Sequence, residues 1–155
     1  METVRMLTAL AVATATVVGL MVGVEFAVAF VLNPILFRLP VGPSLDAQAD
    51  GARVLGRAMP VWYIASLVLT VTLAVFTWGS ASARASVIAA VLFVISVVLS
   101  LALLVPINSR AQRWSADDHP ADWREQAQRW NRLHYLRVVL IVVGFVFVLV
   151  AVAGS

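Results

Sequence analysis

The sequence predicts an all-α integral membrane protein, a four-helix bundle, on three observations. Of its 155 residues, 62% are hydrophobic and 12% charged, against roughly 45–50% and about 25% in soluble domains. Four stretches are each long enough to cross a hydrocarbon core, which takes about 20 apolar residues in a helix. None of the four alternates apolar and polar residues with period two, so a closed barrel does not fit. The composition also excludes a disordered chain, and the lack of a glycine or heptad period excludes collagen and coiled coil. There is no cysteine, which removes disulfides, thiolate metal sites, iron–sulfur clusters and a cysteine nucleophile.

The first span runs from Met6 to Phe37, interrupted by one charge, Glu25. Its 32 residues exceed the roughly 7–15 of a signal-peptide core, so it is expected to stay in the mature chain. Gly19 and Gly23 form a GxxxG, the spacing of close helix packing. Beyond Pro40, Gly42 and Pro43, Ser44 is placed to cap a helix, Asp46 suits a first turn, and Asp50 reaches Arg53 at i,i+3. Leu45 to Met59 therefore reads as a short cytoplasmic interfacial helix stopped by Pro60. The second span covers Val61 to Trp78 and the third Ala85 to Ile107. Asp117-Asp118-His119-Pro120 makes a turn. Ala121 to Tyr135 then holds no breaker and feeds the fourth span, Val138 to Gly154, giving a fourth helix extended into the cytoplasm. No internal repeat or second domain is visible, so residues 1–155 read as a single membrane domain.

All eleven basic residues are arginine and the net charge is +3. An arginine-only, Ala- and Val-rich chain reflects a GC-rich coding sequence, so no nucleic-acid partner is inferred. With alternating spans, one side of the bilayer receives Arg5 and Arg84. The other receives Arg38, Arg53 and Arg57 in the first loop and Arg110, Arg113, Arg124, Arg129, Arg132 and Arg137 in the third. The positive-inside rule puts loops 38–60 and 108–137 in the cytoplasm and both termini outside. The same cluster would also attract anionic lipid headgroups.

Intramembrane ionisable groups cost about 2.5–3.5 kcal/mol on insertion scales and so mark functional candidates. Glu25 is one. Asn33-Pro34 follows on a neighbouring part of the same face, where Pro34 frees a backbone carbonyl that another group must satisfy. The third span ends in Pro106-Ile107-Asn108. On the fourth, Trp123, Ala127, Trp130, His134 and Arg137 recur at spacings of four, three, four and three, one continuous helical stripe. If that stripe faces the bundle, Glu25, Asn33, Asn108, His134 and Arg137 converge into a polar pocket near the cytoplasmic mouth, able to take an amphipathic small molecule arriving from the lipid. Each residue also has a plain structural reading. Glu25 could merely pair with Arg137, or be protonated, to tie two helices together. Asn33 and Asn108 could cap helix ends, and Trp62, Trp78, Trp114, Trp123 and Trp130 could be interfacial anchors. Nucleotide-binding, hydrolase, zinc-protease and Rossmann motifs are absent. No cofactor is evident. A metal site would need Glu25 and His134, with His119 in a loop and few other ligands.

Five strings carry a family resemblance. Gly23-Val24-Glu25-Phe26-Ala27-Val28-Ala29-Phe30 leading to Asn33-Pro34, then Gly56-Arg57-Ala58-Met59-Pro60-Val61-Trp62-Tyr63, is similar to the first half of the anthrone-oxygenase-like family of small bacterial and fungal membrane proteins. Val105-Pro106-Ile107-Asn108-Ser109-Arg110, Asp122-Trp123-Arg124 and Arg129-Trp130-Asn131-Arg132-Leu133-His134-Tyr135-Leu136-Arg137 resemble the second half. The resemblance implies a four-helix membrane fold, a multi-pass protein of the bacterial inner membrane and, for the few members with an assigned reaction, oxygenation of an activated aromatic such as an anthrone to a quinone without an evident bound cofactor.

The leading expectation is a membrane oxygenase or oxidoreductase acting on a hydrophobic, phenol-like small molecule. His134 or Glu25 would be the base, Arg137 and Asn108 would stabilise the oxyanion, and Asn33, Arg57, Trp62, Trp123, Trp130 and Asn131 would contact the substrate. A second possibility is a non-catalytic binding or assembly protein in which Glu25, His134 and Arg137 form a structural network. A third is a small proton-coupled transporter using Glu25, which with only four spans would need a homo-oligomer.

Overall fold

The computed structural model describes all 155 residues. They form four long helices and no strand: α1 (Glu2–Leu36), α2 (Val41–Phe76), α3 (Ala81–Ala111) and α4 (Trp123–Ala153). At 1.5 Å per residue even the 31-residue helices reach about 46 Å, well beyond the ~30 Å of a hydrocarbon core. The chain is thus a multi-pass membrane bundle whose helices project past the apolar layer. Each helix packs against its neighbours in chain order, and α4 closes on α1.

The interior is apolar. Val18, Met21, Phe93, Ile141 and Val148 form its centre, and rows of Val, Ile and Leu on the outside, such as Val68, Val98 and Val146, are exposed where lipid replaces water as solvent. Small residues set the helix spacing. A Cβ on Gly144 would lie 2.7 Å from the Phe93 ring, so α3 and α4 pack closely there. Of the GxxxG pair, Gly19 faces the Phe145 ring, while Gly23 meets nothing within 4 Å. The α2–α3 turn needs the positive φ of Gly79, and Ser80 caps α3 by accepting from the Ala83 N–H at 3.2 Å.

The expected interfacial helix requires correction. Leu45 to Met59 is helical, but it is the first part of α2, which runs unbroken through Pro60. Proline costs that helix one backbone bond, and α3 brings donors to the same stretch. Asn108 Nδ2 and Gln112 Nε2 each donate to the Ala52 carbonyl at 3.4 Å, lying 3.6 Å from where a Gly56 Cβ would be. Nor is Ser44 a cap, since α2 begins at Val41 after Pro40. Ser44 is buried and donates to the Leu36 carbonyl at 2.8 Å, tying α2 back to the end of α1. The Asp50–Arg53 pair is present.

Two helices widen. α1 has a π-helical turn at Val28–Leu32 and α3 another at Ser100–Leu104, each ending just before Asn33-Pro34 or Val105-Pro106. In a π turn each N–H reaches back five residues, and the Asn33 N–H bonds the Val28 carbonyl. The next carbonyl, Ala29, would take its bond from Pro34, which has no N–H. Tyr135 on α4 fills that place, its hydroxyl donating to the Ala29 carbonyl at 3.1 Å. The carbonyl that Pro34 was expected to free is therefore satisfied across the bundle.

The third loop turns where Ser115 and Asp118 bond one another. Trp114 and Trp123 pack with Leu45 and Ala127 into a small separate core that caps this end of the bundle.

Candidate functional site

The stripe on α4 faces inward. Trp123, Ala127 and His134 are buried, and Trp130 and Arg137 are half-buried. From α4, Arg137 reaches across to α1, donating to Glu25 Oε2 at 2.5 Å. The same Nη2 donates to His134 Nδ1 at 3.0 Å, and Nη1 donates to Ser100 Oγ of α3 at 3.2 Å. His134 Nδ1 lies 3.5 Å from Glu25 Oε2. An Nδ1 that accepts from arginine leaves the proton of a neutral imidazole on Nε2. The His134 ring stacks on Trp130 at 4.7 Å and 22°. From α2, Tyr63 places its ring 5.7 Å from the Arg137 guanidinium carbon. All four helices thus contribute to one ion-paired cluster, in which Glu25 is 2% and His134 0% exposed.

The cluster is charged, buried and incompletely hydrogen-bonded. Glu25 Oε1, Tyr63 Oη, His134 Nε2 and Arg137 Nε are all shielded and without a hydrogen-bond partner in the protein. Buried polar groups are normally paired, and four in this cluster are not.

An apolar cavity lies beside the cluster. A cavity of about 550 Å³, with 20 of its 30 lining residues hydrophobic, has Glu25, Tyr63, Ser100 and Arg137 on its wall. Farther toward the first and third loops, Asn33, Asn131, Asn108 and Trp114 line it. Asn33 Nδ2 donates to Asn131 Oδ1 at 2.8 Å, so those two amides form a pair across α1 and α4. Along α4, the six residues from Asn131 to Arg137 separate the amide end from the charged end by about 9 Å. Both π turns contribute walls, through Val28 and Leu32 on α1 and Leu101 and Leu104 on α3. Such turns recur at functional sites because they re-aim side chains within a helix. Ile64 of α2 and Leu101 of α3 line the cavity while each is 64% exposed on the outside. The cavity therefore reaches the surface that lipid covers, between α2 and α3.

Of the residues singled out from sequence, Glu25, Asn33, Asn108, Trp130, Asn131 and Arg137 share this cavity. His134 stands behind its wall, in contact with Glu25, Arg137 and Trp130. Three others lie elsewhere. Arg57 is exposed outside the bundle. Trp62 donates to the Val17 carbonyl at 3.1 Å and packs between α1 and α2. Trp123 belongs to the end core, under the Arg124 guanidinium. Tyr63 and Ser100 were missed from sequence. A tyrosine after Pro60 looks like any interfacial aromatic, and one serine in an apolar run carries no signal.

As a metal site the donor set is small. Glu25 and His134 meet, but no third His, Asp or Glu joins them, and Arg137 bonds to both. His119 lies in the third loop, with Nδ1 3.0 Å from the Ser115 carbonyl.

Comparison with known proteins adds one finding. No curated protein and no solved structure matches the chain. The family model described as anthrone oxygenase matches residues 57–147, a stretch that holds Tyr63, Ser100, Asn108, Trp130, Asn131, His134 and Arg137 and begins after Glu25 and Asn33. That match covers more than half of the sequence, and the chain belongs to the anthrone oxygenase family.

Proposed function

We propose that this chain is a membrane-embedded oxygenase that takes a hydrophobic, hydroxylated aromatic from the bilayer and oxidises it at Glu25 and Arg137. The observation that carries this reading is the Glu25–Arg137 ion pair, both of whose residues line an apolar cavity.

The chemistry follows from those groups. An aromatic with an acidic C–H next to a carbonyl or phenol loses that proton to a positioned carboxylate, and Arg137 stabilises the oxyanion that forms. The carbanion is electron-rich and reacts with dioxygen, the co-reactant. A carbon–oxygen bond forms, and the proton held by Glu25 returns to the distal oxygen to give a hydroperoxide. Loss of the second C–H proton with cleavage of the O–O bond leaves a carbonyl and releases water, so CH2 plus O2 becomes C=O plus H2O. The apolar walls keep bulk water from the anion. His134 acts through Arg137 as a positioning residue, and the Asn33–Asn131 pair and Asn108 orient the far end of the substrate.

Native extraction in mild detergent, followed by mass spectrometry for small molecules and elemental analysis, tests the site directly. A stoichiometric aromatic retained by the unmodified chain and lost from Glu25→Gln is the expected result. A bundle that is stable, empty and indifferent to the substitution would favour the structural reading of the ion pair.

A further inference from the structure

Arg57 has no part in the site described above, yet its place on α2 is distinctive. Arg53, Arg57, Pro60 and Ile64 recur at spacings of four, three and four, so they share one face of that helix, and all four are exposed. Beside this face lie Ala52 and Gly56, which meet Asn108 and Gln112 of α3, so the face flanks the α2–α3 seam. Pro60 and Ile64 line the cavity from α2, and Leu101 and Val105 line it from α3. Ile64, Leu101 and Val105 are 64%, 64% and 45% exposed. These four residues frame the opening toward lipid, and none has a polar atom in its side chain. Arg57 stands just outside the frame, about 10 Å along the helix from Ile64, where the apolar span of α2 gives way to the Arg-rich loop. Arg53 is paired with Asp50, but no carboxylate pairs with Arg57.

We propose that the α2–α3 opening is a binding site for one anionic phospholipid, with its phosphate at Arg57 and one acyl chain laid through the frame into the cavity. The proposal does not depend on the oxygenase reading. At this depth the solvent is hydrocarbon, and an apolar cavity open to it leaves its lining without contacts unless a chain enters. Arginine suits the other end of such a molecule. Its stem covers apolar surface while the guanidinium stays among the headgroups, where it holds a phosphate through two parallel N–H···O bonds. A zwitterionic lipid offers the same phosphate and chains, but its ammonium opposes the attraction. One arginine near the surface therefore favours the anionic lipid by about 5-fold in affinity.

The full chain, purified in mild detergent, is titrated with phosphatidylglycerol or phosphatidylcholine of identical acyl chains, and bound lipid is counted by native mass spectrometry. The unmodified protein is expected to take one phosphatidylglycerol about 5-fold more tightly than phosphatidylcholine. Arg57→Gln should abolish that preference. Arg132→Gln, which removes the same charge from an exposed position on α4, should keep it. Ile64→Trp and Leu101→Trp, one from each side of the opening, should weaken both lipids by a similar factor, because a filled frame refuses the chain whatever its headgroup. All four positions are exposed, and an unchanged melting temperature shows that each variant is folded. No preference for phosphatidylglycerol, or equal loss of it in Arg57→Gln and Arg132→Gln, would mean diffuse attraction by the whole Arg-rich face and would overturn the site. Undiminished binding in both tryptophan variants would overturn the placement of the chain in the opening. Neither result touches the oxygenase reading, which stands or falls on the aromatic.

Discussion

At the scale of single residues, the bundle contains an ion pair where charge is most costly. Glu25 and Arg137 have side chains only 3% and 12% exposed, and removing one partner of such a pair strands the other. Glu25→Ala is therefore expected to destabilise the protein by about 3 kcal/mol, and Glu25→Ala with Arg137→Met to recover most of that, because both desolvated charges are then gone. Thermal unfolding of the two variants in detergent checks the pattern, and equal destabilisation by both would contradict it. Glu25 was legible in the sequence because a carboxylate inside a span has few innocent explanations. His134 and Arg137 were legible as an i,i+3 pair on a stripe. Arg57, Trp62 and Trp123 show the limit of that reasoning. Their residue types suit a ligand site, but periodicity gives a helix face without saying which side chain along it meets a cavity.

At the scale of the elements, proline and glycine decide the geometry. Pro34 and Pro106 each follow a π turn, and the carbonyl left without a donor in α1 is bonded by Tyr135. Tyr135→Phe should cost about 1 kcal/mol, the value of one hydrogen bond, and should speed amide exchange around Val28–Leu32, which hydrogen-exchange mass spectrometry would detect. Gly144→Ala is a sharper case. Its Cβ would approach a Phe93 atom to 2.7 Å, and Phe93 is fully packed, so a loss of about 1–3 kcal/mol is expected from overpacking. An unchanged melting temperature would show that α3 and α4 can part there. Proline marked both irregular sites in the sequence, but its consequence was legible only in part. Pro60 looked like a helix stop and proved to lie inside α2, a helix that also takes donors from Asn108 and Gln112 of α3 at the Ala52 carbonyl. Such long-range bonds leave no local trace.

For the whole molecule, four spans were legible from apolar length alone, because in lipid a helix must satisfy its own backbone. Helix ends were less so, since α1 to α4 continue several residues past the apolar runs into capped and looped segments. The proposed orientation places the Arg-rich loops in the cytoplasm. A chain without cysteine allows single replacements to report on it. A membrane-impermeant maleimide added to intact cells should label Ser155→Cys and leave Asp117→Cys unlabelled, and the reverse pattern would invert the topology. The bundle's central feature remains an apolar cavity open toward lipid with a paired carboxylate and guanidinium at one end. Dioxygen uptake by proteoliposomes given anthrone is the direct test of what that cavity does. Uptake of one O2 per anthrone above the protein-free rate is expected, reduced about 100-fold or more in folded Glu25→Gln for loss of a general base. Uptake no faster than in empty liposomes, or equal in the variant, would contradict it.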